Sequence, residues 1–89
     1  MNKENDRFVK YTLAKFIASK LRAFREEELT SVPTGLTEEQ WDNILRRMVL
    51  AFDIVSQNEQ HTKSLTDEDW MNIEGGLKLF AEYFMDLWY

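Results

Sequence analysis

The sequence predicts an all-α protein, a three-helix up-down-up bundle forming a single helical domain over residues 1–89. Three observations predict it. Apolar residues recur at three- and four-residue steps in three separate segments. Polar or turn-forming connectors separate those segments, and the one from Asn58 to Ser64 has no strand pattern. Two of the segments also open on one phrase. Leu36-Thr37-Glu38-Glu39-Gln40-Trp41-Asp42-Asn43-Ile44 returns 29 residues later as Leu65-Thr66-Asp67-Glu68-Asp69-Trp70-Met71-Asn72-Ile73.

The first helix is predicted from about Asn5 to Glu28 (5–28). Val9, Leu13, Phe16, Ile17, Leu21 and Phe24 form its apolar stripe. Lys20 interrupts the stripe, either laying its methylenes on apolar surface or pairing with an acidic residue of another helix. On the opposite side Arg7, Tyr11, Lys15, Ala18, Arg22 and Arg25 make a basic ridge with one aromatic. A turn over Thr30–Gly35 follows, where Pro33 cannot donate to a helix and Gly35 tolerates positive φ.

The second helix is predicted over 38–57 and the third over 67–88. In the repeated phrase, Thr37 and Thr66 are N-caps whose hydroxyls can accept from first-turn N–H groups. Gln40 completes a capping box; Asp69 is a shorter version of the same reach-back. Leu36 and Leu65 staple to Trp41 and Trp70. The acidic residues Glu38, Glu39, Asp67 and Glu68 complement the helix dipoles. Capping thus explains every shared side chain except Asn43 and Asn72, and outweighs a reading of the phrase as a doubled binding motif. Trp41, Ile44, Leu45, Met48, Phe52 and Val55 form the second stripe, with Asp42 and Arg46 spaced for an ion pair. Trp70, Ile73, Leu77, Phe80, Phe84 and Leu87 form an unbroken seam on the third helix. Gly75 and Gly76 lie inside it, at a cost of about 2 kcal/mol in helix propensity, and close helix packing is the favoured reason.

Composition narrows the function classes. A chain of 89 residues is one domain with a core short of area, so its three Trp, six Phe, three Tyr and four Met supply bulk. It has no cysteine, and its polar start and the lack of a run of about 20 apolar residues predict a soluble, cytoplasmic protein with no membrane partner. The net charge of −5 divides as +2 over residues 1–30, −3 over 31–62 and −4 over 63–89.

Enzyme chemistry finds little support. The single histidine, His61, sits in a polar connector, and paired Glu-x-x-His segments for a bundle metal site are missing. Gly75-Gly76 lacks the spacing of phosphate-binding loops. The trios Glu26-Glu27-Glu28 and Asp67-Glu68-Asp69 point to different sides of a helix and suit solvated helix ends. No catalytic residue, metal or cofactor is expected.

Three binding modes remain. Arg7, Tyr11, Lys15, Arg22 and Arg25 could follow a nucleic-acid backbone, against the acidic total. The acidic second and third helices could mimic nucleic acid, presenting Glu38, Glu39, Asp67 and Glu68 to a DNA-binding protein. Leu50 and Ile54, off the second stripe, with Leu79, Tyr83, Met85 and Tyr89 on the third helix, could form an apolar patch for another protein or for a homodimer.

Two stretches carry a resemblance. Trp41-Asp42-Asn43-Ile44-Leu45-Arg46-Arg47-Met48-Val49-Leu50-Ala51-Phe52 has the form W-x-x-I-L-x-x-M-x-x-A-F. Glu74-Gly75-Gly76-Leu77-Lys78-Leu79-Phe80-Ala81-Glu82-Tyr83-Phe84-Met85-Asp86-Leu87-Trp88 has the form E-x-G-L-x-L-F-x-x-Y-F-x-x-L-W. Together they resemble small accessory proteins of tailed phages and prophages. The resemblance implies a non-enzymatic viral protein that binds a host or phage protein, with inhibition of a host-defence or nucleic-acid enzyme as a specific role. No functional residue carries over with it.

Overall fold

A computed structural model describes residues 9–27, 32–58 and 64–87. They form three helices: α1 (Val9–Glu26), α2 (Glu38–Gln57) and α3 (Asp67–Tyr83), followed by a 3₁₀ turn over Phe84–Asp86. The second helix has the expected bounds. The third leaves α geometry five residues before residue 88, tightening to 3₁₀ after Tyr83. The outer residues expected in the first helix, 5–8 and 28, lie outside the described residues. Among the described residues there is no strand, and no helix is long and apolar enough to cross a membrane.

Both capping boxes form. Thr37 Oγ1 accepts from Gln40 N at 3.0 Å, and the Thr37 N–H donates to Gln40 Oε1 at 2.9 Å. The shorter Asp69 closes its box as well, with Thr66 and Asp69 exchanging two hydrogen bonds of 3.0 Å. Before α2, the chain turns at Gly35, whose φ of 91° suits glycine, and the Leu36 N–H donates to Pro33 O at 3.1 Å.

The helices form an up-down-up bundle with α2 at its centre. Arg25 near the end of α1 bonds Asp42 near the start of α2, while Trp41 meets Tyr83 at the end of α3. Each outer helix is therefore antiparallel to α2 and parallel to the other. Both outer helices pack on α2, yet no Cα of α1 lies within 8 Å of a Cα of α3. The core runs along α2: Trp41, Leu45 and Met48 are fully buried, and Ala14, Ala18, Leu21 and Phe24 close over them from α1. Phe80 sets its ring edge-on to Phe52 at 5.0 Å between centroids.

Two helices are rotated from the faces the sequence pattern suggests. On α1 the buried residues are Tyr11, Ala14, Ala18, Leu21 and Phe24, whereas Val9, Leu13 and Phe16 are exposed. Tyr11 and Ala18, expected on the basic ridge, are thus core residues. On α3 the packed residues are Ile73, Gly76, Phe80, Tyr83 and Leu87, and Trp70, Leu77 and Phe84 are exposed. The physical reason is backbone approach. A Cβ on Gly76 would lie 2.6 Å from Arg47 O and closer still to the Ala51 Cβ. Helices come together where side chains are smallest, so Gly76 takes a seam position and turns Trp70, Leu77 and Phe84 outward. Ala14 and Ala18 hold the matching positions on α1.

The repeated phrase therefore has two fates. Trp41 is 0% exposed and Trp70 is 52% exposed. The Trp41 indole N–H has no hydrogen-bond partner among the described residues. That costs about 1–3 kcal/mol, less than the roughly 3–5 kcal/mol that removing a buried Trp side chain costs. Trp41→Ala should accordingly destabilise by about 3–5 kcal/mol in chemical denaturation, and Trp70→Ala by about 1 kcal/mol or less. Gly76→Ala should cost about 1–3 kcal/mol through overpacking. Gly75→Ala, whose Cβ would meet only the end of the Arg47 side chain at 3.4 Å, should be neutral or stabilising by up to about 1 kcal/mol.

Candidate functional site: an apolar groove between the outer helices

Arg22 and Arg25 fix which way α1 faces. Arg25 Nε donates to Asp42 Oδ1 at 2.7 Å and Arg25 Nη2 to Asp42 Oδ2 at 3.1 Å, a two-pronged bond to α2. Arg22 donates to Asp53, also on α2. These arginines define the flank of α1 that grips α2. Ile17 and Phe24 lie on the far side of the buried face, packed against the core. With 3.6 residues per turn, Leu13 and Phe16 fall further round in the same direction, away from the arginines. They therefore border the open side of the bundle.

The same construction applies to α3. Gly76 and Tyr83 contact α2, Ile73 and Phe80 point into the core, and Trp70, Leu77 and Phe84 lie beyond them. Trp70 and Leu77 are spaced by seven and line up along one edge of the helix, and Phe84 follows at the start of the 3₁₀ turn, its ring edge-on to Phe80 at 5.4 Å. At one end of the bundle, Trp70 and Ile73 share a cleft with Lys10 and Tyr11 of α1 and Val55 of α2, which places the start of α3 beside the start of α1. Two apolar rows thus flank a groove between α1 and α3. Val9, Leu13 and Phe16 stand on one side and Trp70, Leu77 and Phe84 on the other. Lys20 continues the first row, its Nζ 5.4 Å from the Phe16 ring centroid, and Glu74 sits between Trp70 and Leu77. Lys20 therefore covers an aromatic face, and among the described residues it makes no interhelical ion pair.

The site residues expected from sequence do not converge. Leu50 is exposed on the outward face of α2, lining a shallow groove with Arg25, Asn43, Arg46, Arg47, Val49 and Asp53. Ile54 is half-buried near Leu65 and Asp69, where α2 meets α3. Leu79 and Tyr83 pack against the core, Tyr83 edge-on to Trp41 at 5.6 Å, so neither is part of a free patch. Met85 is exposed after α3, and Tyr89 lies outside the described residues. Glu38 and Glu39 sit at one end of the bundle and Asp67 and Glu68 at the other, because α2 and α3 are antiparallel. They cannot form one acidic site.

The basic ridge is dismantled as well. Tyr11 is buried, and Arg22 and Arg25 are engaged with α2. Arg7 and His61 lie outside the described residues. The expected Asp42–Arg46 ion pair is replaced by the interhelical bond to Arg25. Asn43, which capping left without a role, lines two surface grooves on the exposed side of α2. Among the described residues no group of three His, Cys, Asp or Glu could hold a metal ion.

Periodicity alone places Leu13, Phe16, Trp70, Leu77 and Phe84 in the core. The signal that separates them from true core positions is the small-residue spacing Ala14–Ala18 on α1 and the lone Gly76 on α3. No protein-family model, curated protein sequence or solved structure matches the chain.

The Arg25 guanidinium holds the Asp42 carboxyl below the ordinary carboxylate range, chiefly by hydrogen bonding, with the Arg46 charge adding to the effect. A lowered folded-state pKa stabilises the fold above the unfolded value of about 3.9 and is lost as pH falls through the folded value. The pair is partly exposed, so Asp42→Asn should cost about 0.2–1 kcal/mol at neutral pH. Denaturation as a function of pH should show wild type and variant converging below about pH 4.

Proposed function

We propose that this chain is a non-enzymatic helical interaction protein of the phage accessory type, acting on a protein partner through the groove between α1 and α3. The observation that carries the reading is the pair of apolar rows. Six large apolar side chains line the edges of one groove, when burying them against each other would have closed the bundle. Contiguous apolar surface of this kind is what protein interfaces use. A groove with a helix on each side fits an amphipathic helix best, received as a fourth helix.

The phage assignment rests on the resemblance of the Trp41–Phe52 and Glu74–Trp88 stretches to small phage accessory proteins. Inhibition of a host-defence or nucleic-acid enzyme is the role such a cytoplasmic protein would take. Nucleic-acid binding through the first helix loses its basis, since Tyr11 is buried and two of the ridge arginines are committed to α2.

Leu13→Glu and Leu77→Glu place charge in the groove without entering the core. Affinity purification from the host should recover a partner with wild type and lose it with either variant, while thermal unfolding stays within a few degrees of wild type. Leu50→Glu, on the other side of the bundle, should retain the partner. Recovery of nucleic acid in place of protein, or unchanged capture by both groove variants, would contradict the reading.

A further inference from the structure

We propose that the outward face of α2 is a separate docking site for an acidic segment of another protein, with carboxylates set on Arg46 and Arg47 and an apolar side chain on Leu50. This face lies on the other side of the bundle from the groove between α1 and α3 and does not depend on that groove being used.

Only uncompensated charges carry the inference. Arg22 and Arg25 are left aside, because each is ion-paired to a carboxylate of α2. Arg46 and Arg47 are exposed, and among the described residues neither has an ion-pair partner. Helical geometry shows why. Side chains pair along a helix at three- and four-residue steps. For Arg47 those positions hold Asn43, Ile44, Leu50 and Ala51, none of them acidic. For Arg46 the one acidic neighbour is Asp42, which already receives both prongs of Arg25. Both arginines stand in the middle of α2, far from its last turn, so neither complements the helix dipole. The sequence has no acidic residue between Asp42 and Asp53, and each of those two aspartates is bonded to an arginine of α1. Arg46 and Arg47 are therefore an uncancelled double positive charge on a chain whose net charge is −5.

The surroundings of the two arginines name the partner. They line a shallow groove with Asn43, Val49 and Leu50. Guanidinium groups bind carboxylates through paired N–H donors. The Asn43 side chain is exposed and makes no hydrogen bond among the described residues, so its amide is a further donor beside them. Leu50 is 44% exposed and lies one turn from both arginines, which calls for an apolar side chain next to the carboxylates. The basic stretch is also short. Asp42 and Asp53 bound it, roughly 16 Å apart along the helix. Glu39 lines the adjoining groove at one end, and Asp69 lines the one at the other. A nucleic-acid backbone repeats its negative charge and would run onto those carboxylates. A discrete acidic motif with one apolar residue fits between them.

Titration of a short peptide into the whole protein tests this, with NMR signals read at the arginine Nε–H groups and the Asn43 amide. The probe is acetyl-Glu-Leu-Glu-Glu-Leu-amide. Arg46, Arg47 and Asn43 should show saturable shifts that weaken with added salt. Arg46→Gln combined with Arg47→Gln should raise the dissociation constant at least about fivefold, through loss of two exposed charge pairs. Leu50→Ser should raise it as well, and the same peptide with glutamine for glutamate should give no saturable shift. Should the double glutamine variant lose helical circular dichroism, Arg46→Lys with Arg47→Lys keeps the charge, removes the guanidinium fork and must still weaken binding. No shift at the highest peptide concentration, or equal shifts at Lys10, Lys20 and Lys78, would overturn the proposal. Tighter binding of a single-stranded thymidine dodecamer at the same residues would overturn it in favour of nucleic acid. Leu77→Glu should leave the titration unchanged, which separates this site from the groove between α1 and α3. Loss of the shifts in that variant would place the peptide in that groove and overturn the assignment to α2.

Discussion

The contact of Gly76 with α2 governs the rest of the molecule. At that point a single missing Cβ lets the α3 backbone reach the Ala51 side chain and the Arg47 carbonyl. No other residue type fits there without a shift of backbone against backbone. Once Gly76 faces α2, helical geometry dictates which residues are buried. Ile73, Phe80, Tyr83 and Leu87 follow it inward, and Trp70, Leu77 and Phe84 are carried to the edge. The exposed apolar rows are thus a consequence of the packing that builds the core. The two cannot be varied independently.

The first helix obeys the same logic with different means. Ala14 and Ala18 provide the small face, and Arg22 and Arg25 reach over its margin to two carboxylates on α2. Such partly exposed pairs contribute little energy, on the order of 1 kcal/mol at most. Their geometric effect is larger, since they fix which flank of α1 meets α2 and hence which flank borders the open groove. The charge of α1 is partly committed within the bundle, in the ion pairs of Arg22 and Arg25 with α2.

Much of this was legible in the sequence, though not all of it. Helix number, the bounds of α2 and both capping boxes follow from local chemistry, because a Thr and a residue three positions on need no tertiary information to bond. The orientation of α1 and α3 does not follow from periodicity. Each helix carries enough apolar residues for two overlapping stripes, and choosing the stripe with the larger side chains put Leu13, Phe16, Trp70, Leu77 and Phe84 in the core. Close packing reversed that choice. In a short chain, the face with alanines and glycine lets helices approach, and the bulkier face is left over. Leu79 and Tyr83 look off-seam only relative to that stripe, and both pack against the core. Leu50 was correctly placed outside the stripe, but it stands on the opposite side of the bundle from the groove.

The repeated phrase shows where local and global determinants part. Both copies cap a helix in the same way, yet Trp41 is sealed in the core and Trp70 stands half in solvent. The difference lies in what surrounds each helix: α2 has neighbours on two sides and α3 on one. Hydroxyl-radical footprinting of the dilute protein tests this directly, because it reports side-chain accessibility residue by residue. The packing through Gly76 predicts strong labelling at Phe16, Trp70, Leu77 and Phe84, with Tyr11, Trp41 and Met48 protected. Labelling of Tyr11 with protection of Phe16 and Trp70 would contradict it, and with it the groove.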